Sequence, residues 1–193
     1  MKEAIKYGLI LTIICFAASG LLVCINLLTA PRIEVQIAEE RNAAFKEVLI
    51  EAKRFEPVEK NGEAVYYRGL DKNGKVLGVV FTAQGKGYSS AIETVVGMLI
   101  DGTITGIKIV NHNETPGLGS RIAEFKDDTT LWDVIGGKKQ KRALKPWFQE
   151  QFSGKKTDQL GEVQAITGAT ISSEAVIKSV QEKAREIERL IKQ

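Results

Sequence analysis

The chain has 193 residues, 44% hydrophobic and 26% charged, with 27 Lys+Arg against 24 Asp+Glu and a formal net charge of +3. Apart from Lys138 to Lys145, basic residues are interleaved with acidic ones, which excludes the concentrated positive surface that nucleic-acid binding requires. Ordinary apolar content and only four prolines exclude a disordered chain.

The averages conceal a division. Lys2, Glu3 and Lys6 are the only charges in the first thirty residues, and the 23 residues Tyr7 to Thr29 carry none. At ~1.5 Å per helical residue such a run reaches roughly 34 Å, enough to cross a ~30 Å hydrocarbon core. A cleaved signal peptide is the competing reading. An uncharged run this long exceeds a signal's apolar region, and Leu28-Thr29-Ala30 before Pro31 is a poor cleavage end. The expectation is one uncleaved anchor in a prokaryotic cytoplasmic (inner) membrane, in contact with lipid. Lys2 and Lys6 place the amino terminus in the cytoplasm and the remainder outside. Both cysteines, Cys15 and Cys24, fall inside this run, ~13 Å apart on a helix, too far for a disulfide. With no cysteine beyond it, thiolate metal centres, iron–sulfur clusters and cysteine nucleophiles are excluded there.

From Ile33 to Ala52, Ile37, Ala44, Phe45, Val48, Leu49 and Ala52 follow helical spacing and predict an amphipathic helix leading out of the membrane. The period then changes to that of strands. Ala64–Leu70 and Lys75–Ala83 flank Asp71-Lys72-Asn73-Gly74, and Ile92–Ile100 and Thr103–Asn111 flank Asp101-Gly102. Asn-Gly and Asp-Gly are hairpin turn signals. Asn73-Gly74 to Val80 aligns with Asp101-Gly102 to Lys108 at a constant offset, which predicts duplicated hairpins in one curved antiparallel sheet. Gly-bearing loops follow each copy, Gly85–Ser90 and Glu114–Gly119. Such loops admit a ligand close to backbone, or serve turn chemistry alone. Between Ser120 and Lys156 short helical pieces and polar loop are expected. There Lys138-Lys139-Gln140-Lys141-Arg142 reads as a solvated loop, and Trp132, Trp147 and Phe148 as packing residues. A short strand over Glu162–Ile166 is expected to lead into Thr167-Gly168-Ala169-Thr170. A closing helix follows, with Val176, Val180, Ala184, Ile187 and Ile191 on one face. The fold class is α+β: residues 1–6 cytoplasmic, 7–29 transmembrane, 30–60 a juxtamembrane helix and linker, and 61–193 one ligand-binding domain with flanking helices.

Catalytic side chains are scarce. His112 is the sole histidine, without a nucleophile elbow beside it, and reads as structural or exposed. Gly117-Leu118-Gly119 lacks the third glycine of a dinucleotide fingerprint, and Ser153 with Lys156 has no supporting motif. No catalytic residue and no metal ligand set is expected. What remains is the junction Thr167-Gly168-Ala169-Thr170 before the last helix, with Ser172 and Ser173 available as caps. A helix start offers free N–H groups and the positive dipole end, so a phosphate flanked by the Thr167 and Thr170 hydroxyls fits. An ordinary capped helix has the same sequence pattern.

Ile166-Thr167-Gly168-Ala169-Thr170-Ile171-Ser172-Ser173 resembles the S/T-G-A-T flavinylation motif of extracytoplasmic FMN-binding domains. Glu114-Thr115-Pro116-Gly117-Leu118-Gly119 resembles that family's second hallmark. With the single amino-terminal span and the length, the whole chain resembles the G subunits of Rnf-type ion-translocating electron-transport complexes. The resemblance implies an electron-transfer subunit, part of an oxidoreductase but not catalysing alone, in a complex coupling ferredoxin or NAD(H) redox chemistry to Na⁺ or H⁺ transport. It implies FMN esterified through its phosphate to the Thr170 hydroxyl by a separate flavin transferase. Thr167, Gly168, Ala169, Ser172 and Ser173 would surround the phosphate, and Glu114, Thr115, Gly117, Leu118 and Gly119 would lie against the ring. The motif usually has an aspartate six residues before the modified threonine, where this chain has Gln164. That departure bears on transferase preference more than on FMN binding. Two alternatives accompany this reading: the C-type subunit of a Na⁺-pumping NADH:quinone reductase, and an anchored scaffold module without flavin.

Overall fold

The computed structural model describes residues 2–60, 62–124 and 146–192. Trp132 and the basic stretch Lys138–Arg142 lie outside these residues. The chain divides into two compact units, Met1–Glu40 and Arg41–Gln193. The first lies within helix α1 (Lys2–Val48), the one helix among the described residues long and apolar enough to cross a membrane. Its side chains from Ile5 to Thr29 are exposed, as a lipid-facing surface requires.

The second unit is built on five antiparallel strands in sequence order: β1 (Arg54–Lys60), β2 (Glu63–Leu70), β3 (Val76–Lys86), β4 (Ala91–Leu99) and β5 (Ile104–Asn111). Both expected hairpins are present. Each is turned by a glycine with positive φ, Gly74 at 79° and Gly102 at 84°. In each, an aspartate side chain accepts a backbone N–H two residues on: Asn73 to Asp71 (2.6 Å) and Thr103 to Asp101 (3.0 Å). These contacts close the turns from within, so the hairpins are local products of the sequence.

Strand β1 falls within the stretch read as juxtamembrane helix and linker, so the sheet begins earlier than residue 61. It pairs with β2 from Arg54↔Leu70 to Lys60↔Glu63. Pro57 and the charges at Arg54, Glu56, Glu59 and Lys60 suppress the strand signal, but all are tolerated on an edge strand.

Among the described residues this unit has two further α-helices, the short α2 (Trp147–Glu150) and the long α3 (Thr170–Ile191). Alternation along the central strands buries both faces of the sheet. Val79, Phe81 and Ala83 pack with Val176, Val180, Ala184 and Ile187 of α3, while Val80 and Val95 pack with Ala44, Phe45, Val48, Leu49 and Ala52. The predicted apolar face of α3 is therefore the one that docks. Burying a Val or Ile fully is worth about 1.5–3 kcal/mol, and Val176, Val180 and Ile187 are all 0% exposed. Phe148 joins this core edge-on to Phe152 at 5.5 Å, whereas Trp147 stays 39% exposed.

The strand expected over Glu162–Ile166 is absent. Thr157–Glu162 forms a 3-10 helix, and the segment after it has its backbone satisfied by side chains. Gln151 receives the Gln164 N–H (2.9 Å) and donates to the Gln164 carbonyl (3.2 Å), and the Ser173 hydroxyl accepts the Ile166 N–H (3.1 Å). With its groups so paired, the segment has no need of a ladder.

Candidate functional site

The start of α3 and the loop after β5 meet in one pocket. Helix α3 begins at Thr170 with Ala169 as N-cap, and no side chain caps it. The expected serine caps are engaged elsewhere. Ser173 donates to the Ala169 carbonyl (2.9 Å), and Ser172 donates to the Glu114 carboxylate (2.6 Å). Backbone N–H groups at the helix start thus keep their dipole-aligned donor capacity for an anion.

Glu114 lies beneath the pocket, 6% exposed. Its Oε1 accepts the N–H groups of Ser89 (3.0 Å) and Ser90 (2.9 Å) and the Ser90 hydroxyl (3.4 Å). Its Oε2 accepts the Tyr88 N–H (3.3 Å) and the Ser172 hydroxyl. Burial by itself raises the carboxyl pKa, but the Ser172 hydroxyl and the N–H groups of Ser90, Ser89 and Tyr88 outweigh it and hold the pKa below the ordinary 4.5. The Glu114 N–H in turn donates to His112 Nδ1 (3.4 Å), which gives the sole histidine a structural place.

Thr115 to Ser120 folds back on itself, with the Leu118 and Ser120 N–H groups both donating to the Thr115 carbonyl (3.2 Å each). This brings Gly119 against Glu114 and Ser172. A Cβ on Gly119 would fall on the Glu114 carboxylate and 2.8 Å from the Ser172 oxygen, so a close approach requires glycine there. The pocket so formed has a volume of about 310 Å³ and is lined by Tyr88, Glu114, Thr115, Leu118, Gly119 and Gly168 through Ser172. Leu118 and Ile171 are more than half exposed at its mouth, and Tyr88 is 74% exposed. An apolar mouth beside an uncapped helix start and a free threonine hydroxyl fits an amphipathic ligand with a flat apolar ring and a phosphate.

Of the residues expected from the sequence, Thr170, Gly168, Ala169, Ser172, Glu114, Thr115, Leu118 and Gly119 line this one pocket. Gly117, with φ 74°, turns the loop without lining it, and Ser173 points into the core. Thr167 faces a neighbouring groove of about 440 Å³, shared with Arg121, Glu124, Trp147 and Gln164. The Gly85–Ser90 loop contributes Tyr88 to the pocket and three N–H groups to Glu114. Two contributors escape sequence reasoning. Ile171 supplies apolar wall, and Arg121 Nη1 donates to the Thr167 carbonyl (2.9 Å), tying the glycine loop to the turn before Thr170. A long-range arginine-to-carbonyl bond has no local pattern to reveal it.

Comparison with known proteins shows the family. Residues 87–185, which contain every residue lining the pocket, match the family model described as FMN-binding domain, and residues 1–48 match the RnfG N-terminal region. The G subunit of the proton-translocating ferredoxin:NAD(+) oxidoreductase complex of Clostridium ljungdahlii is 32% identical over 186 residues, covering 92% of this chain and 88% of that protein. The G subunit of the Na(+)-translocating ferredoxin:NAD(+) oxidoreductase complex of Acetobacterium woodii is 35% identical over 195 residues, covering 93% and 89%. The G subunit of the ion-translocating oxidoreductase complex of Escherichia coli K12 is 30% identical over 194 residues, covering 94% and 89%. Among solved structures, the C subunit of the Na(+)-translocating NADH-quinone reductase of Parabacteroides distasonis aligns at TM-score 0.49 and 17% identity, covering 81% of this chain and 95% of that one. The chain belongs to the family of G subunits of ion-translocating oxidoreductase complexes and carries an FMN-binding domain.

Proposed function

We propose that this chain is the membrane-anchored, flavin-bearing electron-transfer subunit of a multisubunit complex that couples ferredoxin or NAD(H) redox chemistry to Na⁺ or H⁺ transport. The observation that carries the reading is the exposed Thr170 hydroxyl at the uncapped start of α3, on the wall of a pocket whose mouth is Leu118 and Ile171.

FMN bound here supplies reversible acceptance and release of electrons; this chain's residues attach, orient and shield it. Attachment is a phosphoester on Thr170. The threonine oxygen bonds to the FMN phosphorus of an FAD donor, the pyrophosphate bond breaks, AMP leaves and the hydroxyl proton is lost, in a reaction run by a separate flavin transferase. The helix-start N–H groups would stabilise the phosphodiester charge, and Leu118 and Ile171 would supply apolar contact to the ring. A covalent tether prevents loss of cofactor outside the cytoplasm. Lys2 and Lys6 orient the span with the amino terminus inside and the flavin domain extracytoplasmic. The span from Tyr7 to Thr29 has no charged residue, so an ion path must be formed by partner subunits.

The test is denaturing electrophoresis of protein co-produced with a flavin transferase, viewed under ultraviolet light. Fluorescence is expected to stay with the wild-type band and to vanish in Thr170→Ala. A dark wild-type band overturns the covalent reading, and the lack of a flavin absorbance band in the purified native protein overturns the flavoprotein reading altogether.

A further inference from the structure

The arrangement around Glu114 does more than close a loop. Five donors reach its two oxygens from two distant segments, the Tyr88, Ser89 and Ser90 N–H groups and the Ser90 and Ser172 hydroxyls. A carboxylate offers about four lone-pair sites, so no capacity is left for a ligand. Three of the five donors are backbone N–H groups, which can only donate and so favour the ionised carboxylate, with its full acceptor capacity, over the protonated one. The geometry therefore favours the ionised form. All five donors are neutral, which spreads the negative charge without cancelling it. Glycines close in from both sides, since a Cβ on either Gly87 or Gly119 would overlap the carboxylate.

We infer that Glu114 is a positioning residue rather than a flavin ligand: its ionised carboxylate docks the Tyr88–Ser90 loop onto the start of α3 and, from beneath the pocket, lowers the reduction potential of the flavin. This rests on the FMN reading above. Reduction adds negative charge to the ring, and a fixed anion in the same pocket opposes that addition. The Ser172 hydroxyl, donating to Oε2 at 2.6 Å, partly offsets the anion, so the two residues act on the potential with opposite signs.

The experiment is a spectroelectrochemical titration of the full-length, flavin-loaded protein in detergent. Glu114→Gln is expected to shift the midpoint potential upward relative to wild type, and Ser172→Ala to shift it downward. Wild-type protein that holds flavin while Glu114→Gln leaves the potential unmoved or lower overturns the inference alone; wild-type protein that holds no flavin overturns the FMN reading with it. Should Glu114→Gln not fold, Ser172→Ala decides, and an unmoved or raised potential overturns the proposal. A second readout needs no cofactor. In protein produced without a transferase, chymotrypsin is expected to cut after the exposed Tyr88 faster in Glu114→Gln than in wild type, and equal rates overturn the docking role.

Discussion

The Ser172 hydroxyl donates to the Glu114 carboxylate at 2.6 Å across 58 positions of sequence. Through this bond the first turn of α3, where Thr170 lies, is held against the loop that carries Leu118 and Gly119. The two walls of the pocket are thereby fixed relative to each other.

The same carboxylate makes stability depend on acid. Its folded-state pKa lies below the ordinary 4.5, so the stabilisation from its ionised form is fully present above that value and is lost as the pH falls through the lower folded value. Glu114→Gln is expected to cost on the order of 2 kcal/mol at pH 7. Melting temperatures of the two proteins, compared from pH 7 downward, should converge only below 4.5.

Gly119→Ala places a methyl group on the Glu114 carboxylate and against the Ser172 oxygen. It is expected to destabilise by about 1–3 kcal/mol and to reduce the flavin-to-protein ratio, read by urea unfolding and by absorbance. Gly161→Ala, where an added Cβ meets nothing within 4 Å, serves as the control and should do neither.

Arg121 is exposed and donates to the Thr167 carbonyl at 2.9 Å. Arg121→Ala should therefore cost no more than about 1 kcal/mol of stability. Because the bond sets the turn before Thr170, the extent of flavinylation by a limiting amount of transferase is expected to fall, measured as fluorescence per band.

Gln164 is held by its backbone to Gln151 and its side chain is exposed. Gln164→Asp restores the residue usual at that place in the flavinylation motif. It is expected to change stability by less than about 0.5 kcal/mol and to raise the rate of flavinylation in a timed reaction with purified transferase.

The carboxy-terminal unit begins at Arg41, and Ala44, Phe45, Val48, Leu49 and Ala52 cover Val80 and Val95. A chain starting at Arg41 is expected to fold and unfold cooperatively, whereas one starting at Arg54 should lose several kcal/mol and expose apolar sheet. Circular dichroism melts of the two distinguish these outcomes.

Local features were legible without the structure. The uncharged run marks α1, Asn73-Gly74 and Asp101-Gly102 mark the hairpin turns, and spacing by three and four marks the buried face of α3, because periodicity and turn preference act over a few neighbouring residues. Thr167–Thr170 and Glu114–Gly119 stand out in the sequence as short motifs for the same reason. Edge strand β1 was not, since Pro57 and its charges give no alternating signal and its extended state depends on pairing with β2. Nor could the sequence show that the Glu114 carboxylate is filled by Tyr88, Ser89, Ser90 and Ser172, or that Arg121 holds Thr167. Those contacts follow from strand register and from the docking of α3 on the sheet. Only the folded packing brings such separated donors and acceptors within about 3 Å, the range in which hydrogen bonds form.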